Sequence, residues 1–157
     1  MPLTSYQEKA AKLIVEHEGK LTHTYVCPAG KWSVGVGHNL EDNPLPNWIL
    51  KTLLDRIQWP TDVVEALFEY DLSLAEKDAK LALGEVYFTA LPDDAKVVLI
   101  DMSFNMGYTT LIKFKMFLKA LRDQDWTSAR REIMDSKAAR ELPKRYTQLR
   151  DMLPGAP

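Results

Sequence analysis

Apolar positions near the start of the chain recur at helical spacing, with Tyr6, Ala10, Leu13, Ile14 and His17 on one stripe. Ser5 followed by Glu8 reads as a capping box at the start of this helix, and Gly19 can close it in a left-handed conformation. Glu18 falls on its last turn, where the helix dipole disfavours a negative charge. The pattern then changes to two short strands, 22–27 and 32–37, joined by Pro28-Ala29-Gly30-Lys31, residues suited to a tight turn. Gly35 and Gly37 weaken a strand, so they predict close approach of another backbone or a ligand. Pro44 and Pro46 mark a boundary, after which 47–57 reads as a short amphipathic helix. A longer helix follows Pro60, with Thr61 as its cap, and runs to about Leu83 with Val64, Leu67, Phe68, Asp71, Leu72 and Ala75 on one face. Beyond Gly84 every periodic segment is helical. Residues 95–106 are apolar on nearly all sides, and further helices are expected over 111–121, from an Asp125 cap to Met134, and from Pro143 to Met152.

The fold expected from this order is α+β and mostly α. It comprises a small lobe with a β-hairpin (about 18–60), a connecting helix (61–83), and a helical lobe (84–157) that takes in the N-terminal helix. A chain of 157 residues with 46% hydrophobic and 27% charged residues can bury a core and shows no disorder signature. The net charge of −2 conceals an asymmetry. From Leu111 onward there are 11 Lys and Arg against 6 Asp and Glu, so the helical end is basic and could be drawn to an anionic envelope polymer. No aromatic residues alternate with these cations, which argues against nucleic acid. Cys27 is the single cysteine, so no internal disulfide forms, and the N-terminal residues show no basic-then-apolar secretion signal.

The candidate chemistry is concentrated in Glu18 to His38, where a carboxyl at a helix end faces the hairpin and is well placed to serve as a general acid. The order Glu18, Cys27, Ser33, Gly35-Val36-Gly37-His38 resembles that of the phage-type lysozymes, the muramidase endolysins. In that family an Asp or Cys follows the Glu, then Thr, then Gly-x-Gly-His. Cys27 and Ser33 depart from the commoner pattern. Leu99 to Gly107 resembles the family's central helix, and Trp126, Ala129, Ser136, Pro143 and Arg145 fall in the family's order.

The resemblance implies a hydrolase of the β-1,4 bond between N-acetylmuramic acid and N-acetylglucosamine in peptidoglycan, with Glu18 as acid and with Cys27 and Ser33 holding water. It places Phe104, Asn105, Ser136 and Lys137 at the substrate, pairs His38 with Asp71, and gives Arg145 and Tyr25 supporting places. Arg145 would approach Glu18, a pull toward the carboxylate that burial and the helix end must offset. An ordinary thiol titrates near about 8.5, so beside an acid Cys27 is expected to stay mostly neutral at pH 7. No cofactor is implied, and His17, His23 and His38 lack a tight metal-ligand motif. The expected protein is a monomer made in a bacterial host's cytoplasm that reaches the wall after holin-dependent release. Rival readings are a lytic transglycosylase, which needs one acid and no water-holding partner, a cysteine peptidase on Cys27 and His38, and a weakened lysozyme that only binds glycan.

Overall fold

The computed structural model describes residues 3–47, 49 and 59–155. The elements are α1 (Ser5–Glu18), β1 (Leu21–Val26), β2 (Trp32–Gly35), β3 (His38–Asn39), α2 (Thr61–Leu83), α3 (Glu85–Ala90), α4 (Asp93–Met106), α5 (Tyr108–Leu111), α6 (Lys115–Arg122), α7 (Trp126–Met134), α8 (Lys137–Glu141) and α9 (Pro143–Met152). The α+β, mostly helical class expected from the sequence is the one observed. Apart from residues 47 and 49, the helix expected over 47–57 lies outside the described residues. Two compact units form, one of residues 11–73 and one of residues 1–10 with 74–157.

In the first unit the three strands make an antiparallel sheet in the order β1-β2-β3. Tyr25 pairs with Ser33 and Val26 with Trp32 across β1 and β2, while Val34 pairs with His38 across β2 and β3. The turn between β1 and β2 closes through Gly30 N–H to the Cys27 carbonyl at 2.8 Å, with Gly30 at φ 80°. β3 was not anticipated, because two residues carry no readable alternation. Val34, Ile49, Trp59, Val64 and Leu67 form the core beneath the sheet. Gly35, at φ 67°, lets α2 come close, since a Cβ there would sit 3.3 Å from Val64 Cγ1.

In the second unit α4 is the buried centre, with Leu99, Ile100 and Met102 fully covered, and it stops at Gly107, where φ is 71°. The single helix expected over 111–121 is instead two. Lys113 N–H reaches the Thr110 carbonyl and Phe114 N–H that of Leu111, a tight turn that breaks the ladder before α6. α3 and α8 are short helices that periodicity did not reveal. The Arg122 guanidinium closes the end of α2 by donating to the Leu83 carbonyl at 2.8 Å and the Ala82 carbonyl at 3.0 Å.

Two caps differ from expectation. At α1 the box is Thr4 with Gln7, whose Oε1 accepts Thr4 N–H at 2.7 Å, and at α2 Pro60 rather than Thr61 precedes the first helical residue. Gln7 also has a tertiary partner. Its amide nitrogen donates to buried Glu76, which also accepts from the Tyr6 hydroxyl at 3.0 Å and pairs with Lys80 at 2.7 Å. Burial alone would raise the Glu76 carboxyl, but the bonds from Lys80, Gln7 and Tyr6 outweigh it and hold the group below the usual carboxylate range. A depressed folded value gives stability that is present above the ordinary carboxylate pKa, about 4.3, and lost as pH falls through the folded value. Glu76→Gln should therefore flatten the acid side of the stability curve. Acid titrations of both proteins followed by circular dichroism would check this, and identical acid limbs would refute it.

Candidate active site

Helix α1 ends at Glu18 because Gly19, at φ 74°, turns the chain back while its N–H still reaches the Val15 carbonyl at 2.9 Å. The half-buried Glu18 side chain lies against Gly37. A Cβ on Gly37 would stand 3.5 Å from Glu18 Oε2, and Gly37 itself is at φ 70°. Of the two glycines expected to mark close approach, Gly35 thus faces α2 and Gly37 faces the acid.

Cys27 begins the turn after β1, its N–H bonded to the Lys31 carbonyl at 2.9 Å. The backbone amide of Lys31 pulls the thiol below its ordinary value. Weak desolvation opposes this, and the Ala29 amide and the Ser33 hydroxyl add to the pull. This adds a cause that side-chain spacing alone does not give. The turn's amides act first, and they favour the thiolate. Ser33 is buried on β2 directly opposite Tyr25, and its hydroxyl is shared between Cys27 and the Lys31 carbonyl at 3.4 Å. Tyr25 is raised from its ordinary phenol value by burial first, then by Glu18 and Cys27, against a bond from the Gly37 amide. Glu18, Tyr25, Cys27 and Ser33 therefore form one cluster around the hairpin, built by the turn, the register and Gly37.

His38 is buried, with Nδ1 at 2.7 Å from Asp71 Oδ2 and Nε2 at 3.1 Å from the Asn43 carbonyl. The expected pairing of His38 with Asp71, between β3 and α2, is present at hydrogen-bond distance. Breaking a buried pair typically costs roughly 3 to 5 kcal/mol. His38→Asn or Asp71→Asn should each lower the melting temperature by several degrees, and the double variant should lose less than the sum of the two. Additive losses in thermal melts would remove the coupling.

In the helical unit Asn105, Ser136 and Lys137 line one pocket of about 600 Å³ together with Phe114, Phe117 and Leu142, while Phe104 lies half-buried beside Asn105 at the end of α4. Ser136 also has a structural task. Its hydroxyl accepts Ala139 N–H at 3.0 Å as the cap of α8 and donates to the Ile133 carbonyl at 2.8 Å. Lys137 pairs with Glu141 at 3.4 Å. Arg145 donates through Nε to Asp101 Oδ1 at 2.8 Å, and Asp101 is fully buried. Sequence reasoning missed Asp101, although a lone acid inside the otherwise apolar 95–106 segment signals a buried partner. Among the described residues no group of three His, Cys, Asp or Glu is placed to hold a metal ion, and no helix is long and apolar enough to cross a membrane.

Comparison with known proteins gives concordant results. The sequence model of the phage lysozyme family matches residues 15–148. Probable T4-type lysozyme 1 and probable T4-type lysozyme 2 of Dictyostelium discoideum are each 28% identical to this chain, over 84% of it and 85% of theirs.

Proposed function

The chain belongs to the phage lysozyme family, and from that premise we propose that it is an N-acetylmuramidase that uses Glu18 as general acid, with Cys27 and Ser33 holding the attacking water. Membership carries the coarser statement, a lysozyme-like glycoside hydrolase of peptidoglycan. The bond we assign is the β-1,4 link between N-acetylmuramic acid and N-acetylglucosamine. The observation that supports the finer reading is the carboxyl of Glu18 set against Gly37, in one cluster with a sulfur drawn toward the thiolate by the Lys31 amide.

In this scheme Glu18 gives its proton to the glycosidic oxygen as the C1–O4 bond breaks, and the bonding pair stays with that oxygen. Water held by the Cys27 sulfur and the Ser33 hydroxyl adds its oxygen to C1 from the opposite face and releases its proton to solvent, from which Glu18 regains the proton it gave. Asn105 and Lys137 contact the substrate in the helical unit, with Phe104 beside them. Cellular setting is part of the same proposal: synthesis in a bacterial host, release to the wall at lysis, and action as a monomer, with the basic helical end attracted to anionic envelope polymers.

Mass spectrometry of fragments released from purified peptidoglycan tests the reaction. Hydrolysis leaves reducing muramic acid ends, each carrying one added water. Anhydromuramic ends would instead favour a lytic transglycosylase, and binding without release would favour a glycan-binding protein. Cys27 separates two schemes for the second half of the reaction. If it holds water, Cys27→Ser should keep measurable lysis, Cys27→Asp should keep or raise it, and the product should be inverted at C1. A dead Ser variant together with retained configuration, read by nuclear magnetic resonance of the fresh product, would replace this role with a covalent one.

A further inference from the structure

The two faces of the hairpin differ. Side chains alternate along a strand, so Tyr25 and Ser33 of the catalytic cluster share one face, while Val26 and Trp32, the next cross-strand pair, share the other. Leu40 follows in the same register, its N–H donating to the Trp32 carbonyl at 2.9 Å. Val26, Trp32 and Leu40 thus make an apolar row across all three strands. On this face Val34 enters the core at 0% exposure, but Val26 and Trp32 are each 54% exposed. Apolar residues scattered singly on a surface need no explanation, whereas a contiguous row that reaches an edge strand calls for a partner.

Three features indicate what the row holds. It spans two inter-strand spacings, about 10 Å, which suits a disaccharide. Its three side chains, with Leu40 half-buried against the core, fall far short of the roughly 800 Å² per partner that a stable protein interface needs. The rim is polar and already fixed. Trp32 N–H donates to Glu41 Oε1 at 2.9 Å, Asn39 Nδ2 donates to Asp42 Oδ2 at 2.9 Å, and Lys31 pairs with Asp42. Glu41 and Asp42 against Lys31 leave the rim net negative, which disfavours an anionic lipid or polymer. An uncharged sugar chain suits this surface in both respects. The C–H face of a sugar ring can lie on the indole, and its hydroxyls can bond to rim groups that have little further freedom to lose.

We propose that Val26, Trp32 and Leu40 form a platform, on the face opposite the catalytic cluster, that holds a neighbouring strand of the β-1,4-linked N-acetylhexosamine polymer by stacking on Trp32. The platform keeps the enzyme on insoluble wall between cuts. The inference rests on peptidoglycan being the substrate.

Co-sedimentation with purified, teichoic-acid-free peptidoglycan tests this in a Glu18→Gln background, where the strands stay whole. Adding Trp32→Ala should raise the dissociation constant roughly tenfold, and adding Trp32→Phe, which keeps a stacking ring, should raise it no more than about threefold. With Glu18 restored, Trp32→Ala should clear insoluble walls more slowly. It should still cleave a soluble tetrasaccharide with kcat/KM within about twofold of wild type and melt within about 3 °C of it. Unchanged wall binding in Trp32→Ala overturns the platform. An equal loss on the tetrasaccharide overturns it by putting Trp32 in the catalytic groove, and a large fall in melting temperature does so by putting Trp32 in the core. Binding to phosphatidylglycerol vesicles, or dimerisation seen by sedimentation velocity, overturns it if Trp32→Ala abolishes either. If wild type releases no sugar fragments and the Glu18→Gln protein does not bind the wall, the substrate reading itself falls, an outcome distinct from any confined to Trp32.

Discussion

Glu18→Gln should lower wall lysis by at least about two orders of magnitude while the protein stays folded. Glutamine keeps the shape of the side chain and its packing against Gly37, so the space that a Cβ on Gly37 would fill stays unchanged. What is lost is the ionisable proton. Without it the leaving oxygen departs as an alkoxide, and the reaction forgoes the protonation that general-acid catalysis supplies. Glu18 is half-buried at the end of α1, outside the packed core, so the melting temperature should change little. Turbidity clearing of purified walls, beside a thermal melt of the same preparation, separates the two effects. A folded Gln variant that clears walls at the wild-type rate would remove Glu18 from the chemistry and with it the mechanism proposed above.

The parts of this molecule legible in the sequence are those whose causes are local. Gly19 after an amphipathic run gives the end of α1 and so the place of Glu18. Asp125 accepting Ser128 N–H at 3.1 Å and Pro143 in the first turn of α9 give two further helix starts. The His38–Asp71 pair was reached through the family resemblance, and the geometry agrees with it. What escaped has tertiary or backbone causes. The Gln7 amide that accepts Thr4 N–H also donates to Glu76, a partner far along the chain. The break between α5 and α6 contains neither Pro nor Gly, so the apolar periodicity reads straight through residues 112–114. Most instructive is Cys27. Side chains alone do not show that the leading influence on the thiol is the Lys31 backbone amide, a donor that almost any residue would supply and that only the closed turn aims at the sulfur. The direction of the shift at Cys27 belongs to the loop geometry rather than to residue identity.

Arg145→Met should be strongly destabilising in the helical unit. Arg145 donates to Asp101 at 2.8 Å, and its side chain is 8% exposed while that of Asp101 is fully buried at 0%. Methionine matches the aliphatic stem of arginine, so the packing around α9 is largely kept and the main effect is the loss of a cation beside a buried carboxylate. Removing one member of such a pair costs about 3 to 5 kcal/mol, because the charge left behind has been taken out of water without its counterion. For a chain of this size that corresponds to a fall in melting temperature of roughly 10 °C. Asp101→Leu alone should be similarly costly, since it leaves the guanidinium without its carboxylate. The double variant, Asp101→Leu with Arg145→Met, should recover much of the loss, because neither charge then remains to be desolvated. A complete cycle of thermal melts over these four proteins tests the argument, and it fails if the double variant is as unstable as the sum of the singles. Activity is a separate readout in the same cycle. If the pair acts on stability alone, the double variant should lyse walls at close to the wild-type rate once measured well below its melting temperature, whereas an inactive but stable double variant would give Arg145 a role in the reaction as well.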